Sequence, residues 1–339
     1  MGDEATLRIA FLGGVPPALG GGGLERQMGA TAAALRARGH AVERVERLDA
    51  DASFDVLHAF RAELLLYELL DHWQRNKAPL VVSPVLGVAP GREERLLRAA
   101  AWLPAPVTSA RMRRTVFARA DALVLLTDHE RALVERVFGA AVERAAVIPN
   151  GVDPVEPQPP AGLPGEPFLA LVGHVTARKG QVAVLRAVAG AIPVVVAGSV
   201  LGRDDERRAF ESVVAETGAR WLGELRDPEE VRGLHAAAAA TALLSENEGL
   251  PLTVLESLAA GTPAIVSDLP VHRELAGRHP GWIRVVSGAG EVVETFRELA
   301  ATPPPGPPPK IPAWGDVAER LEAVYRAAIA RSSARAMRQ

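Results

Sequence analysis

Cysteine is absent from the 339-residue chain, which excludes disulfide bonds, thiolate metal sites and cysteine nucleophiles. Aromatic residues make up only 4% and the net charge is −3, so we expect no stacking platform or basic surface for nucleic acid. No apolar run is long enough to cross a bilayer. The N-terminal stretch MGDEATLRIAFLGG lacks the basic and apolar regions of a signal peptide. The absence of cysteine fits a reducing cytoplasm, where we expect the protein to lie.

Lysine is also scarce, because all but three of the 38 basic residues are arginine. The position of each lysine (Lys77, Lys179 and Lys310) is therefore informative. The arginines are concentrated between residues 91 and 119, where seven of them accompany two glutamates. This stretch, from Arg92 to Arg119, could rest on anionic lipid, or it could be an ordinary solvated helix face.

Two proline-rich segments divide the chain. PVEPQPPAGLPGEP, residues 154–167, cannot form a helix or a central strand and is interpreted as an inter-domain linker. A second break at 302–312 precedes a final helical pattern. The predicted domains are residues 1–153 and 168–302.

Short apolar runs alternate with amphipathic stretches in both halves. Continuous apolar strands between helices indicate parallel sheets that are covered on both faces. Ligands in such sheets bind beyond the carboxyl ends of the strands, so functional residues should follow strands directly. The predicted strands are 7–12, 40–45, 56–60, 79–83, 122–126 and 145–149 in the first half, and 168–172, 193–197, 219–223, 241–245, 263–267 and 282–286 in the second.

Two glutamates stand out in SENEGLPLTVLESLAAGTPAIVSD, residues 245–268. Glu248 follows a predicted strand, Pro251 favours a helix start, and Glu256 lies about one turn into that helix. The backbone N–H groups of residues 249–252 have no partner within the helix and can bind an anion. Two carboxylates that bind hydroxyls around an anion site would suit a sugar, a diphosphate and a ribose in a row.

Two loops that contain glycine precede predicted helices. The run Gly20–Gly23 comes before LERQMGATAAALRARGH, and LVGHVTARKG, residues 171–180, ends a strand and places Lys179 at a helix start. Glycine lets the backbone approach a ligand, and lysine offers a compact charge for phosphate. The alternatives are a flexible turn at the first place and a solvated helix start at the second.

These segments resemble the retaining glycosyltransferases of family four, or group 1, which have the GT-B fold. The family pattern Glu-Gly-apolar-Pro-Leu, followed by a second Glu and a Gly-x-Pro, is matched from Glu248 to Pro263. The resemblance implies an α/β fold of two doubly wound Rossmann-like domains facing an inter-domain cleft. Other similar segments are GGGLERQ, FDVLHAF (54–60), ADALVLLTDHERALVERVFG, VIPNGVDP (147–154), and the final helix 313–339 with Trp314 and Tyr325, which returns to an N-terminal acceptor-side domain.

The resemblance also implies roles for single residues. Glu256 would hold the ribose hydroxyls of a nucleotide-sugar donor, Glu248 would contact the donor hexose, and Lys179 would bind the diphosphate. Glu248 and Lys179 are thus the predicted catalytic residues. The predicted donor-binding residues are Glu256, Arg178, His174, Gly173, Gly249, Leu250, Pro251, Leu252, Gly22 and Gly23.

The implied reaction transfers a hexose from a UDP- or GDP-type donor to an acceptor hydroxyl, with retention by front-face substitution. It needs no metal and no cofactor. Asp49-Ala50-Asp51 resembles the metal-binding motif of the other transferase fold, but we interpret it as a solvated turn. The acceptor could be a carbohydrate, a lipid or a small molecule. Arg92–Arg119 would then provide peripheral contact at the inner face of a membrane.

Two departures from the family pattern leave other functions open. His174 stands where the family usually has arginine, and a neutral imidazole offers one hydrogen bond and no charge. Arg178 would compensate for this change. The segment Ser83-Pro84-Val85 stands where the family commonly has a histidine. A catalytically weak or inactive nucleotide-sugar-binding partner protein is the alternative, and an epimerase or phosphorylase of the same fold is a third.

Overall fold

The protein is described by a computed structural model and divides into two compact units. Unit 1 comprises Met1–Gly151 and Pro312–Gln339, and unit 2 comprises Val152–Ile311. The proline-rich segment 154–167 lies within unit 2, where the Gln158 N–H donates to the Glu229 carbonyl at 3.0 Å. The residues described are 5–13, 22–45, 53–61, 66–68, 70, 78–88, 91–103, 108–140 and 142–337.

Unit 1 contains a six-stranded sheet in the order β2-β1-β3-β4-β5-β6, and every pair of neighbouring strands is parallel. Its strands are β1 (Arg8–Gly13), β2 (Ala41–Arg44), β3 (Val56–Phe60), β4 (Leu80–Ser83), β5 (Ala122–Leu125) and β6 (Ala145–Val147). The helices of unit 1 whose bounds lie among the described residues are α1 (Gly23–Ala37), α2 (Arg92–Trp102), α3 (Ser109–Arg119), α4 (Asp128–Phe138) and, near the C-terminus, α11 (Trp314–Ala336).

Unit 2 contains a second parallel sheet, in the order β12-β11-β10-β7-β8-β9. Its strands are β7 (Leu169–Val172), β8 (Val194–Ala197), β9 (Arg220–Trp221), β10 (Ala240–Leu243), β11 (Ala264–Ser267) and β12 (Ile283–Val286). Its helices are α5 (Gln181–Val188), α6 (Asp204–Thr217), α7 (Pro228–Ala237), α8 (Leu252–Ala259), α9 (Pro270–Arg278) and α10 (Val292–Ala301). Within the described part of the chain, no helix has both the length and the apolar character needed to cross a membrane.

The parallel sheets form because their strands are apolar on both faces. Every residue of β3, β4, β5, β7, β8 and β10 is buried, and short helices cover the two sides. All twelve strands predicted from the sequence are confirmed, and their ends lie within two residues of the prediction. This agreement is expected, since buried parallel strands produce the strongest apolar runs in a sequence.

A buried polar network fastens α11 to the sheet of unit 1. Nδ1 of His58 lies 2.7 Å from the Tyr325 hydroxyl, and Nε2 lies 2.8 Å from Oγ of Ser83. His58 and Tyr325 are 1% and 0% exposed. Burial lowers the pKa of His58 to about 3, so the imidazole is neutral and joins β3, β4 and α11 by uncharged hydrogen bonds.

A second network, centred on Glu322, holds α11 against the neighbourhood of α1. Oε2 of Glu322 accepts hydrogen bonds from Nε and Nη2 of Arg38 at 3.0 and 2.9 Å, and Oε1 accepts from Arg326 at 2.6 Å. The Leu7 N–H donates to Nδ1 of His40, and Nε2 of the same ring lies 3.2 Å from Oε2 of Glu322. The carboxylate is buried, and these partners offset the cost of removing it from water.

Candidate functional site

The strand order of unit 2 reverses between β7 and β10, which lie side by side in the middle of the sheet. The strands β8 and β9 continue on one side of this pair, and β11 and β12 continue on the other. In open parallel sheets ligands bind beyond the carboxyl ends of the strands at such a reversal, because the loops diverge there and leave a crevice. The residues that follow Val172 and Leu243 are therefore the candidates for a site.

The loops after β7 and β10 are joined through their backbones. The Glu246 N–H donates to the Arg178 carbonyl at 2.9 Å. Gly180 has a φ of +72°, and a Cβ at that position would overlap the Leu244 carbonyl oxygen, so the approach requires glycine. This contact brings the side chain of Lys179 to the end of β10.

Lys179 and Glu248 form an ion pair at this point. Nζ of Lys179 donates to Oε1 of Glu248 at 2.7 Å, and the Ser245 hydroxyl donates to the same oxygen at 2.8 Å. The two charged side chains are 17% and 10% exposed. The contacts described for Glu248 all involve Oε1, so Oε2 is the oxygen that can accept a ligand hydroxyl.

The charge of Glu248 is set by two opposing effects. Burial raises the pKa of the carboxyl group, but the Lys179 ammonium, together with Ser245 and Arg178, outweighs burial and holds that pKa below its usual value. The carboxylate is consequently ionised at neutral pH. The ionised Glu248 holds the Lys179 ammonium at a partly buried position where it can bind an anion.

Arg178 adds a second positive charge to the same loop. Its Nη1 donates to the Asn247 carbonyl at 2.5 Å and lies 3.5 Å from Oε1 of Glu248. The side chain is 42% exposed. Arg178 therefore both supports the loop that carries Glu248 and presents charge to solvent.

Gly173 and His174 continue directly from β7. The φ of Gly173 is +124°, a value that L side chains rarely adopt. Nδ1 of His174 lies 2.8 Å from Oγ of Ser199, which follows β8, and Gln181 donates to the His174 carbonyl at 2.9 Å. The imidazole is thus oriented by the next loop along the sheet.

The helix α8 begins beside the same loop. Its N-cap residue is Pro251, and no side chain caps this end within the described structure. The Thr253 hydroxyl donates to the Val172 carbonyl at 3.2 Å and so fixes the first turn against the end of β7. Glu256 lies one turn along α8, as the sequence pattern predicts, and the structure shows that it is half-buried. Gly249 and Leu250 form the bend before the helix.

The structure therefore gathers most of the predicted site residues at one edge of unit 2. Gly22 and Gly23 belong to unit 1, where the Gly22 N–H donates to Oε2 of Glu25 at the start of α1. Gly20, Gly21 and the motif 49–51 lie outside the described residues. Among the residues that are described, no group of three or more His, Asp or Glu side chains is placed to hold a metal ion.

The sequence did not point to three supporting side chains. Ser245 binds Glu248, Ser199 orients His174, and His272 lies fully buried with Nδ1 2.7 Å from the Ser267 carbonyl. Burial lowers the pKa of His272. Ser245 and Ser199 stand at the ends of predicted strands. Position at a strand end was thus the only signal that could have found them.

Two family models match the chain. "Glycosyl transferase 4-like domain" matches residues 43–151, and "Glycosyl transferases group 1" matches residues 156–304. A D-inositol 3-phosphate glycosyltransferase of Xylanimonas cellulosilytica is 31% identical over 173 residues, which are 45% of this chain and 42% of that protein. The chain spans 42% to 47% of the length of this protein and of two other curated relatives.

Solved structures share the fold over nearly the whole chain. The sucrose-phosphate synthase of Thermosynechococcus elongatus has a TM-score of 0.68 at 19% identity, with 98% of each chain covered. Anabaena Alr3699/HepE in complex with UDP and glucose has a TM-score of 0.65 at 14% identity, with 98% of this chain and 99% of that one covered. With family models matched in both units, the chain belongs to the group 1, or family four, glycosyltransferases and has the α/β GT-B fold of two Rossmann-like units.

Proposed function

We propose that this protein transfers a hexose from a nucleotide diphosphate sugar to an acceptor hydroxyl, with retention of configuration and without a metal ion. The observation that carries the proposal is the Lys179–Glu248 ion pair beside the uncapped first turn of α8, at the strand reversal of unit 2. An ammonium, a helix N-terminus and a carboxylate in one place match a ligand that carries both phosphate and hydroxyl groups.

In the proposed reaction the bond between the anomeric carbon and the diphosphate oxygen breaks. The acceptor oxygen forms a bond to the same carbon on the same face, and the acceptor proton passes to the departing diphosphate. Lys179, Arg178 and the N–H groups at the start of α8 stabilise the negative charge that develops on that diphosphate. Oε2 of Glu248 accepts a hydrogen bond from a hexose hydroxyl, and the Glu256 carboxylate accepts hydrogen bonds from the ribose hydroxyls.

The comparisons support a nucleotide-sugar donor. Alr3699/HepE has been crystallised with UDP-glucose as well as with UDP and glucose, and its fold matches this chain. The curated relatives include a D-inositol 3-phosphate glycosyltransferase and an alpha-maltose-1-phosphate synthase. We propose a UDP- or GDP-type donor, bound by unit 2, and a carbohydrate, lipid or small-molecule acceptor, bound by unit 1.

A second candidate is a nucleotide-sugar-binding partner protein with little or no transferase activity. The observation that favours it is the His174–Ser199 contact at the place where the family usually has arginine. Loss of that charge weakens stabilisation of the leaving group more than it weakens binding of the uncharged sugar and base.

We also propose that the protein is cytoplasmic and binds anionic membranes peripherally through Arg92–Arg119. Arg92, Arg95, Arg98 and Arg119 are exposed on α2 and α3, and Leu96, Trp102 and Leu103 beside them are 60%, 52% and 48% exposed. Such a surface combines charge with apolar insertion. Vesicles containing anionic lipid should sediment the protein at low salt, and a variant with Arg92, Arg95 and Arg98 changed to glutamine should stay in solution. Equal sedimentation of both would contradict the contact.

Ligand-induced stabilisation followed by turnover tests the central proposal. UDP, GDP, ADP and CDP are added separately in a thermal-shift experiment, and a nucleotide at a hundred times its Kd should stabilise the protein by about 2.7 kcal/mol. The sugar nucleotides of the stabilising base are then tested for hydrolysis and transfer. Stabilisation without turnover would favour the binding protein, and no stabilisation by any nucleotide would contradict both functions.

A further inference from the structure

Among the described residues of unit 1, the strained backbone positions lie at one edge of the sheet. In the described residues, Arg61 with a φ of +68° and Val85 with a φ of +50° are the two non-glycine residues in the left-handed region. Arg61 directly follows β3, and Val85 lies two residues beyond β4, the neighbouring parallel strand. The Arg61 N–H donates to the Ser83 carbonyl at 2.8 Å and ties the two strand ends together.

The strain at Val85 is the more costly of the two. A β-branched side chain crowds its own backbone in the left-handed region, so valine is among the residues least suited to it. Such residues persist only where the surroundings enforce them, and they cluster at places where ligands bind. Residues 84–88, here called the β4 loop, follow β4 at the carboxyl edge of the sheet, where ligands of such sheets bind.

A buried carboxylate enforces the conformation of the β4 loop. Glu130 in α4 is 1% exposed, and its Oε1 accepts a hydrogen bond from the Leu86 N–H at 2.8 Å. Its Oε2 accepts from the Leu126 N–H at 2.6 Å, in the loop that follows β5. The Val85 N–H is a further backbone donor to this carboxylate.

The role of Glu130 is not that of the N-terminal cap of α4. Thr127 already caps α4, because its hydroxyl accepts from the Glu130 N–H at 3.0 Å. Among the described residues, the Glu130 carboxylate accepts hydrogen bonds from backbone N–H groups, and burial is the largest influence on its pKa. A carboxylate that is buried against backbone N–H groups costs more to remove from water than an uncharged side chain would, so stability alone does not account for it. Its distinctive effect is to fix two neighbouring loops, one of which contains a strained residue.

We propose that Glu130 is a positioning residue for the sugar-transfer reaction, holding the β4 loop in the shape in which it contacts the acceptor. The proposal rests on the proposed function, and it assigns Glu130 no contact with substrate. Because the β4 loop lacks the histidine usual in the family, its contribution must come from its backbone and from the fixed side chain of Val85. A loop that acts through shape alone depends on whatever holds that shape.

The test compares the wild-type protein with Glu130→Gln, using Glu135→Gln as the matched control. The substitution at position 130 keeps the side-chain volume but turns one acceptor of a backbone N–H into a donor. Glu135 is exposed on the same helix. Hydrogen–deuterium exchange should be at least tenfold faster at the Leu86 and Leu126 amides in Glu130→Gln and unchanged in Glu135→Gln.

The functional measurement uses UDP-glucose, GDP-mannose and ADP-glucose, with release of the free nucleotide as the signal. In Glu130→Gln we expect kcat to fall at least tenfold, while the KM for the sugar nucleotide and the stabilisation by free nucleotide stay within twofold. A purely structural role would lower the melting temperature and the active fraction together. Wild-type kcat in a folded Glu130→Gln variant overturns the proposal, as does unchanged amide exchange.

A second variant keeps the proposal testable if Glu130→Gln does not fold. Leu86→Pro removes the N–H that Glu130 binds and drives Val85 out of the left-handed region, and it changes only a half-buried loop residue. The same tenfold loss of kcat is expected, and full activity would overturn the proposal. A wild-type protein that turns over none of the three sugar nucleotides contradicts the proposed function instead, while an active wild type beside equally active variants contradicts only the role of Glu130.

Discussion

Lys179 and Glu248 stand 69 positions apart in the chain, yet their charged atoms lie 2.7 Å apart at the strand reversal of unit 2. Ser245 donates to the same carboxylate oxygen and fixes it further. Groups of the protein itself therefore hold the pair in its geometry. A charge that is already in position costs little to reorganise during a reaction, which is the main source of electrostatic catalysis.

Replacement of Lys179 by alanine should lower kcat on the order of 10²-fold or more, because the departing diphosphate loses its partly buried cation. Lys310→Ala is the matched control, since Lys310 is exposed outside the site. The measurement is nucleotide release from the sugar nucleotide that the wild type accepts. Near-wild-type turnover in Lys179→Ala would remove this residue from the mechanism.

Glu248→Gln should affect both stability and activity. The change leaves the partly buried Lys179 ammonium without its counter-charge, so we expect a loss of roughly 1–3 kcal/mol in the free energy of unfolding of unit 2. Turnover should fall by at least about tenfold, since the cation is no longer held in place. Glu246→Gln, at an exposed position of the same loop, should behave like wild type. Chemical unfolding and nucleotide release provide the two measurements.

His174→Arg should strengthen the site if the transferase proposal is right. Arginine would add a fixed positive charge and several donors where the imidazole now binds Ser199. We expect kcat/KM for the sugar nucleotide to rise by roughly 3- to 10-fold, equivalent to about one strengthened charged hydrogen bond. Ser199→Ala serves as the control for loss of the serine contact alone. A decrease in kcat/KM for His174→Arg beside an unaffected Ser199→Ala would show that the imidazole itself is needed.

The pH dependence of stability should reveal the buried Glu130. Burial raises the pKa of its carboxyl group from the ordinary value of 4.5 to about 7. Between about pH 4.5 and 7 the folded state therefore keeps a proton that the unfolded state has lost. The free energy of unfolding falls as pH rises through this range and then levels off. The difference in free energy of unfolding between wild type and Glu130→Gln should shrink by roughly 3 kcal/mol over that range.

His58 has a lowered pKa, which makes the free energy of unfolding rise with pH over much of the same range. Because both proteins contain His58, its contribution cancels in the difference between them. Asp128, which is exposed, and His129, which is half-buried, flank Glu130 on α4 and are present in both proteins. The measurement is guanidinium unfolding at closely spaced pH values. A flat difference would mean that Glu130 titrates normally and carries no burial penalty.

Glu322→Ala should destabilise unit 1 by roughly 2–3 kcal/mol, because it leaves buried His40 and the partly exposed Arg38 and Arg326 without their shared carboxylate. Glu319→Ala, at an exposed position of the same helix, should change the free energy of unfolding by less than about 0.5 kcal/mol. Chemical unfolding monitored by tryptophan fluorescence tests this, since Trp314 lies on α11. Equal stability of the two variants would contradict the anchoring role of Glu322.

The fold could be predicted closely from local pattern. Strands such as β5 (Ala122–Leu125) and β8 (Val194–Ala197) are buried on both faces, so every residue in them is apolar and the run is visible without a structure. The start of α8 was equally clear, because Pro251 and the small residues after Glu256 mark a helix by their own chemistry. Family membership followed from the same stretch.

The sequence did not indicate which side chains hold the site residues in place. Ser245 and Ser199 are ordinary serines until the fold brings them to Glu248 and His174. Glu130 looked like any helix glutamate, and nothing local indicates that it binds the N–H of Leu86, 44 positions away. Its importance depends on the strained backbone at Val85, which no periodicity reveals.

Sequence alone therefore determined the strands, the helix starts and the identity of the charged residues at the strand reversal, because these depend on apolar periodicity and on residues near one another in the chain. The tertiary structure decided which oxygen of Glu248 is occupied, what orients His174 and why Glu130 is buried. Those features arise from contacts between segments that are distant in the chain, and the direction and burial of a side chain are set only when such segments pack together.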